Sequence, residues 1–473
     1  MERVISIFKE ICAIPRGSGN RIPISDYCVR FARKRGLSVR RDSACNVVIE
    51  KAASPGYEKA EPVILQGHLD MVCQKTEESE VDFLRDGIQT VIEGDFMRAV
   101  GTTLGADNGI AVAMILAILE RQDLAHPALE AVLTVDEEIG LLGADQLNKS
   151  LLRGRRMINL DGEDENSVMV SCAGGVDYVM RLPLEKKKSR GTISTVTVFG
   201  LRGGHSGAEI GNGRLNANLL LGSMLGRLHQ ITPFEIVSLS GGDKGNAIPP
   251  RARAILSVRY PEEFKEEWER LFRSVREENS VREPNLSAEV TFSDPTEIQA
   301  LTPACGTRLL CVLSCVPNGV VEMSAEVSAL VETSLNLGIL AERDGAAEMH
   351  FLLRSNKRSA LEALKAKMEA FAFLSGSSGE FSGDYPPWEY REKSPLRERY
   401  LALYADLFGK EARVEAIHAG LECGVFDSAM PGLDCIAIGP NLYGIHTVEE
   451  KMSLSSAERI YKAVCALLAD CRD

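Results

Sequence analysis

Three absences narrow the class of this chain. No run of about 18 apolar residues occurs, so no segment reads as a membrane-crossing helix. No cluster of basic residues stands out: Lys and Arg number 54 against 67 Asp and Glu, a formal charge of −13. That balance repels nucleic-acid phosphates and anionic lipid, so neither partner is expected. The twelve cysteines contain no CxxC pair. The opening MERVISIFKEICAIPRGSGN puts charges among its apolar positions and reads as an amphipathic helix, not an export signal. The thiols are therefore expected to be reduced and mostly buried, in a cytoplasmic protein. What is present is ordinary for a soluble protein, 45% hydrophobic and 26% charged. The length of 473 residues suits two or three domains at about 150 residues each.

Residues 1–185 alternate helical and strand patterns, as in an α/β layer structure. Helices are expected at 2–13, 22–34 and 110–120, and strands at 38–41, 47–51, 63–67, 131–135 and 157–160. The lysine-rich stretch 184–190 reads as a solvated junction. Beyond it the order becomes strand (194–199), helix (216–230), strand (234–240), strand (252–259), helix (262–278) and strand (287–292). A second such set follows, with helices at 305–315 and 359–373 and strands near 331–337 and 347–353. Two adjacent βαββαβ-like, ferredoxin-like units would share one continuous sheet. Gly376, Gly379, Gly383 and the pair Pro386-Pro387 mark a return linker. After it α/β character resumes, with helices at 394–408 and 455–470 and strands at 413–417 and 434–439. The expected architecture is an α/β catalytic domain (1–185 and 381–473) split by an inserted α+β domain (186–380).

The chain is organised around Val63-Ile-Leu-Gln-Gly-His68-Leu-Asp70. A short apolar strand ends at Gly67, and in extended chain His68 and Asp70 point to the same side. A His with a carboxylate beside it at a strand end can hold a metal and orient its ligand. Asp107, Glu138, Asp161 and His446 also stand where apolar runs stop. Each has an ordinary alternative: Asp107 would serve as a helix cap, Glu137 and Glu138 as solvated residues at a helix start, Asp161 as part of an acidic turn. His446, in a Gly-Ile-His-Thr loop, would be structural. Taken together, all at strand ends of a split α/β domain, they favour a metal centre. Two imidazoles and three carboxylates suit zinc, manganese or cobalt better than calcium or magnesium. They are too many for one open tetrahedral ion and fit two ions if one carboxylate bridges.

These motifs, His68-Leu-Asp70, Gly105-Ala-Asp107-Asn-Gly, Asp136-Glu137-Glu138, Asn159-Leu-Asp161 and the late His446, resemble those of the co-catalytic zinc aminoacylase and carboxypeptidase G superfamily. The fuller wording GHLDMVCQK, GTTLGADNGIAVA, LTVDEEIGLLGA, INLDGED, GLRGGHSG, NAIP and AIHAGLECG is similar to its aminoacyl-histidine (cytosol nonspecific) dipeptidase branch, from first helix to last. The resemblance implies a dinuclear hydrolase of dipeptides. Asp107 would bridge, His68 and Asp161 would complete one metal, and Glu138 and His446 the other. Asp70 matches the residue that orients His68. Glu137 matches the general base that takes a proton from the metal-bridging water. The peptide after Asp107 would be cis. His205, in Gly203-Gly-His-Ser-Gly207, matches a histidine that stabilises the oxyanion, often across a dimer interface. Asn246, Arg354 and Gly420 match substrate-binding positions, with Arg354 able to grip a carboxylate by a bidentate pair. His418 and Glu422 read as pocket wall or as support behind the ligands, not as ligands themselves. The inserted domain would act as a lid that closes on substrate and forms a homodimer.

Two departures touch the pocket rim: Gln74 stands where an acidic residue is expected, and the last loop reads Ile445-His-Thr-Val448 instead of His-Ser-Pro. The same chemistry would also serve an N-acyl amino acid deacylase or a tripeptidase. A peptide-binding protein without catalysis would have no need of Glu137. Ser206 and Ser240 lie in no GxSxG elbow, which weakens a serine-hydrolase reading.

Overall fold

Helix Ala106–Glu120 is apolar on every side, and in the computed structural model, which describes residues 1–473, every side chain from Asn108 to Leu119 is buried. Such a helix belongs inside a layered domain rather than on its surface. It packs between helix Glu2–Cys12 and strand Val63–His68. The peptide between Asp107 and Asn108 is cis. That strand lies in an eight-stranded sheet whose order is Ser38–Arg41, Val47–Lys51, Leu129–Thr134, Val63–His68, Arg156–Asn159, Asp434–Ala437, Ser167–Cys172 and Arg413–Ile417. The four strands from Leu129–Thr134 to Asp434–Ala437 run parallel. Their carboxyl ends therefore share one edge, where open α/β sheets place ligands.

A small four-stranded sheet adds a second scaffold: Leu442–Tyr443, Lys451–Ser453, Phe96–Ala99 and Thr90–Glu93. Its Leu442–Tyr443/Lys451–Ser453 hairpin carries the loop that contains His446. Sequence reading left the Thr90–Ala99 hairpin out, although Gly94-Asp95 between two apolar stretches is a turn signal.

Chain contacts divide the molecule into two units. One comprises Met1–Cys172, Pro387–Ala416 and Gly420–Asp473, the other Ala173–Pro386 with Ile417–Ala419. The second unit is built on a nine-stranded sheet of two interlocked βαββαβ repeats. One repeat contributes Ser287–Leu301, Lys186–Phe199, Ala252–Val258 and Phe234–Gly241 in that spatial order. The other contributes Val331–Arg343, Ala346–Ser355, Gly174–Pro183 and Ser378–Tyr385, with Gly319–Met323 beside the first of these. Numbered along the chain, both read 4-1-3-2 from one edge. The repeats join where Gly241 faces Leu340. The first repeat is threaded between the first strand and the first helix (Pro303–Cys315) of the second.

Three expectations change accordingly. Residues 184–190 are no junction: from Lys186 they form the start of a fourteen-residue strand. Their lysines are ion-paired, Lys187 to Glu235 at 2.6 Å and Lys188 to Glu297 at 2.9 Å. The division between units falls at 172/173, because Gly174–Pro183 pairs along its whole length with Ala346–Ser355. The second division falls at 386/387 instead of 380/381, because the stretch read as a linker is an edge strand, Ser378–Tyr385, paired with Gly174–Pro183. Gly379 is required there: a Cβ would sit 1.9 Å from the Tyr178 hydroxyl oxygen. Pro295 likewise does not end its strand, since it lies on the outermost strand where a missing N–H costs nothing.

Candidate functional site

In the first unit the parallel strands deliver their polar residues to one edge. His68 ends its strand, Asp70 follows, and Asp136-Glu137-Glu138 follow the strand ending at Thr134. Asp161 follows the strand ending at Asn159. Asp107 opens the buried helix. His446, with φ of 63°, comes from the hairpin loop.

Asp107 stands at the centre. Its Oδ1 is 3.0 Å from His68 Nε2, and its Oδ2 is 3.1 Å from His446 Nε2. His446 Nε2 is also 3.1 Å from Glu138 Oε1, and His68 Nε2 is 3.4 Å from Asp161 Oδ1. One oxygen of a single carboxylate thus serves each imidazole. The ligand atoms of His68, Asp107 and Glu138 lie within 4.8 Å of one another. Behind His68, Asp70 Oδ1 lies 3.5 Å from Nδ1. Asp70 is itself held by the Ser18 hydroxyl at 2.8 Å and by the N–H groups of Glu137 (3.0 Å) and Glu138 (3.4 Å). That arrangement fixes the ring and raises its basicity.

Charge accounting shows what the centre wants. Burial, joined by neighbouring carboxylates, pushes Glu138 and Asp161 above the usual carboxylate range and Glu137 well above it. Burial acts on Asp107 as well, but its hydrogen bonds to His446 and His68 outweigh it and hold that carboxyl low. Hydrogen bonds to Asp107 and Glu138 push His446 up to about 11. Protonated imidazoles here do what cations do: they offset crowded negative charge. Two imidazoles and three carboxylates, partly buried and facing inward, fit divalent ions of intermediate softness.

Supporting residues tie these groups together, and of them Arg16 and Glu450 are not expected from the sequence. Glu450, buried at the base of the His446 loop, accepts from the N–H groups of Leu104 (2.8 Å), Gly105 (2.9 Å) and Ala106 (2.8 Å). It thereby ties that loop to the start of the Asp107 helix. Fully buried Arg16 donates to the carbonyls of Leu69 (3.1 Å), Asp70 (3.0 Å) and Gly105. Glu422 accepts from Thr134 Oγ1 at 2.7 Å and from Gln66. Asn159 Nδ2 then donates to Gln66 Oε1 at 2.5 Å, and Asn159 Oδ1 accepts from the Asp161 N–H at 3.2 Å. This buried chain runs from Glu422 to Asp161. Burial pushes the Glu422 carboxyl up to about 7. Gln66 and Asn159 carried a signal, polar residues inside apolar strands; Arg16 and Glu450 carried none.

The second unit gathers another set. His205 pairs with Ala247 in a two-residue ladder, and its Nδ1 accepts from the N–H groups of Gly207 (3.3 Å) and Ala208 (3.0 Å). Nδ1 as acceptor leaves the ring proton on Nε2. Arg354, buried within strand Ala346–Ser355, donates from Nη1 to the Tyr385 hydroxyl at 2.8 Å, while its Nε has no partner. A Cβ at Gly207 would lie 3.0 Å from His205 Cε1 and 3.2 Å from Arg354 Nε, so the two side chains meet over that glycine. Asn246 is tied in by its carbonyl, which accepts from the Ser206 N–H at 2.9 Å, and its side chain is exposed. Gly420 belongs to the first unit.

Histidines and carboxylates gathered at the carboxyl edge of a parallel sheet, in a chain with a second α+β unit set into it, define a class: α/β proteins with a side-chain cluster able to hold a cation. Within that class the chain belongs to peptidase family M20/M25/M40, whose model matches residues 64–470. It is thus an enzyme of peptide-bond hydrolysis. It is similar to the cytosol non-specific dipeptidase of Escherichia coli strain K12, 36% identical over 468 residues, or 98% of this chain and 96% of that one. The crystal structure of aminoacylhistidine dipeptidase from Vibrio alginolyticus superposes with a TM-score of 0.89 at 35% identity, covering 99% of this chain and 96% of that chain. Aminopeptidase PepT from Bacillus cereus shares the fold, with a TM-score of 0.56 at 15% identity over 100% of this chain and 99% of that one.

Proposed function

We propose that this chain is a dinuclear metal-dependent dipeptidase of the cytoplasm, of Xaa-His or broad specificity. The observation that carries the reading is Asp107, whose two oxygens face two different imidazoles at 3.0 and 3.1 Å, the geometry of a bridging ligand. His68 and Asp161 would complete one ion and Glu138 and His446 the other, with zinc preferred and cobalt or manganese able to substitute. The names of the two full-length relatives support the dipeptidase assignment, and twelve unpaired cysteines accord with a reducing compartment.

Bound there, two divalent ions would supply Lewis acidity and make a water acidic enough to attack a carbonyl at neutral pH. The protein's own groups do the rest. Asp70 keeps the His68 ring oriented. Glu137 takes the proton of the attacking water and delivers it to the leaving amine, a task suited to a carboxyl that follows the strand end beside Glu138. His205, carrying its proton on Nε2, donates to the oxygen that becomes negative. Arg354 and Asn246 hold the carboxylate end of the dipeptide, and the backbone at Gly420 lines the pocket. The second unit would serve as lid and as homodimer contact. The exposed Phe373 and Leu374 on its helix Arg358–Ser375 support the dimer, which light scattering would test.

The deciding experiment is hydrolysis of a dipeptide panel, including Xaa-His and β-alanyl-His, by the metal-loaded protein and by Glu137→Ala. Wild type cleaves, and the variant keeps its metal but loses about 10²- to 10⁴-fold in kcat. Failure to cleave any dipeptide, with cleavage of N-acyl amino acids or tripeptides instead, would reassign the substrate. Equal turnover by both proteins would remove Glu137 from the role.

A further inference from the structure

The chain enters the second unit for three residues, Ile417–Ala419, and leaves it again at Gly420. This short excursion is tightly held. The Ala173 N–H donates to the carbonyls of Ile417 (3.1 Å) and Ala419 (3.0 Å). Asn356 Nδ2 donates to the Ile417 carbonyl at 3.2 Å, which turns Asn356 Oδ1 toward His418 Nδ1 at 3.1 Å. An amide oxygen only accepts, so Nδ1 carries the ring proton. Nε2 is then an acceptor for the Ser334 hydroxyl at 2.7 Å. His418 is therefore a neutral imidazole with both nitrogens engaged. Burial, reinforced by the positive charge of Arg354, lowers its pKa to about 3, so it stays neutral.

The main chain of the same residue does something else. The His418 carbonyl lies 2.4 Å from where a Cβ at Gly207 would stand. Gly207 is thus the point at which the His418 carbonyl, the His205 ring and the Arg354 Nε converge, and only a glycine fits. Its N–H, with that of Ala208, fixes the His205 tautomer. A buried imidazole clamped at both nitrogens fixes the backbone that carries it, and this backbone is what the His205–Ala208 turn rests on.

We propose that His418 is a positioning residue for substrate binding: clamped between Ser334 and Asn356, it sets its own carbonyl against Gly207 and so fixes His205 and Arg354 in the arrangement that receives a dipeptide. The inference rests on the roles given to His205 and Arg354 above.

The test compares His418→Ala, Gly207→Ala and Arg354→Ala with wild type, on a dipeptide and on the matching dipeptide amide, which lacks the carboxylate. All three should raise KM for the dipeptide by about tenfold or more, with a much smaller KM change for the amide and unaltered metal content, while His418→Ala and Gly207→Ala also lower kcat on both substrates through the displaced His205. His418→Asn, which keeps a donor to Asn356, should recover most of the loss. If Arg354→Ala shifts dipeptide KM while folded His418→Ala and Gly207→Ala leave both KM and kcat at wild-type values, the positioning role is overturned and only the residue's packing remains. If Arg354→Ala itself changes neither substrate, the underlying assignment fails and takes this inference with it. Should His418→Ala not fold, Gly207→Ala and His418→Asn decide alone: wild-type KM in Gly207→Ala is contradiction enough.

Discussion

The two units solve opposite electrostatic problems. The first crowds carboxylates, Asp70, Asp107, Glu137, Glu138 and Asp161, around two histidines at a sheet edge, and most of these acids bind protons more tightly than usual. The second places buried Arg354 beside His205 and a histidine that burial keeps neutral, with an Asp177 carboxyl that burial pushes up against the lowering pull of Arg354. A crowded acidic edge holds cations; a buried guanidinium holds an anion. The scaffolds differ to match. Parallel strands bring many chain ends together at one edge, whereas the antiparallel sheet offers side chains from strand interiors and a short turn.

That comparison can be broken by changing one unit and reading the other. The largest effect is expected for Arg354→Ala: dipeptide binding should weaken by about 2–5 kcal/mol, seen as a rise in KM, because a buried charge partner is removed. Metal content should not change; loss of metal would mean the two roles are not separable. Next comes Glu422→Gln in the metal-free protein. Glu422 titrates near 7 when folded and near its ordinary value of 4.5 when unfolded. The folded state therefore binds the extra proton between those values, and wild-type stability from this group declines as pH rises through that window. Relative to wild type, the variant should gain about 2–3 kcal/mol between pH 4.5 and 7 in urea unfolding. A difference that stays flat across the window would contradict the crowding of charge in the first unit. The smallest effect is expected for Ser18→Ala, which removes one hydrogen bond from Asp70. Metal affinity should fall by about 1 kcal/mol in competition with a chelator, with KM unchanged.

Legibility in the sequence followed the same division. His68, Glu138 and Asp161 were readable as ligands because each stands where an apolar strand stops, and parallel strands stop at one edge. Asp107 instead opens the buried helix and His446 lies in a hairpin loop of the small sheet, so their expected place at strand ends is not what brings them there. Their spacing in the chain, from His68 to His446, says nothing of proximity by itself; the alternating α/β pattern does. The second unit was harder. Its repeat was visible in order, but Gly174–Pro183 and Ser378–Tyr385 were missed. The first of these continues α/β-like sequence without a break, and the second is an exposed edge rich in glycine and serine, with little apolar alternation. The lysines of the strand beginning at Lys186 hid it for a similar reason: ion pairs across an exposed sheet face look like a solvated run. Supporting residues such as Arg16 and Glu450 act through main-chain groups far away in sequence, and no local pattern announces that.

The central claim is that Asp107 bridges two ions, and metal analysis of purified protein tests it most directly. Elemental analysis by mass spectrometry of wild type, Asp107→Asn and His446→Ala, each equilibrated with zinc, counts ions per chain. The account predicts about two per chain for wild type, loss of tight binding at both positions for Asp107→Asn, and retention of one ion for His446→Ala. One ion in wild type, or two retained without Asp107, would contradict it.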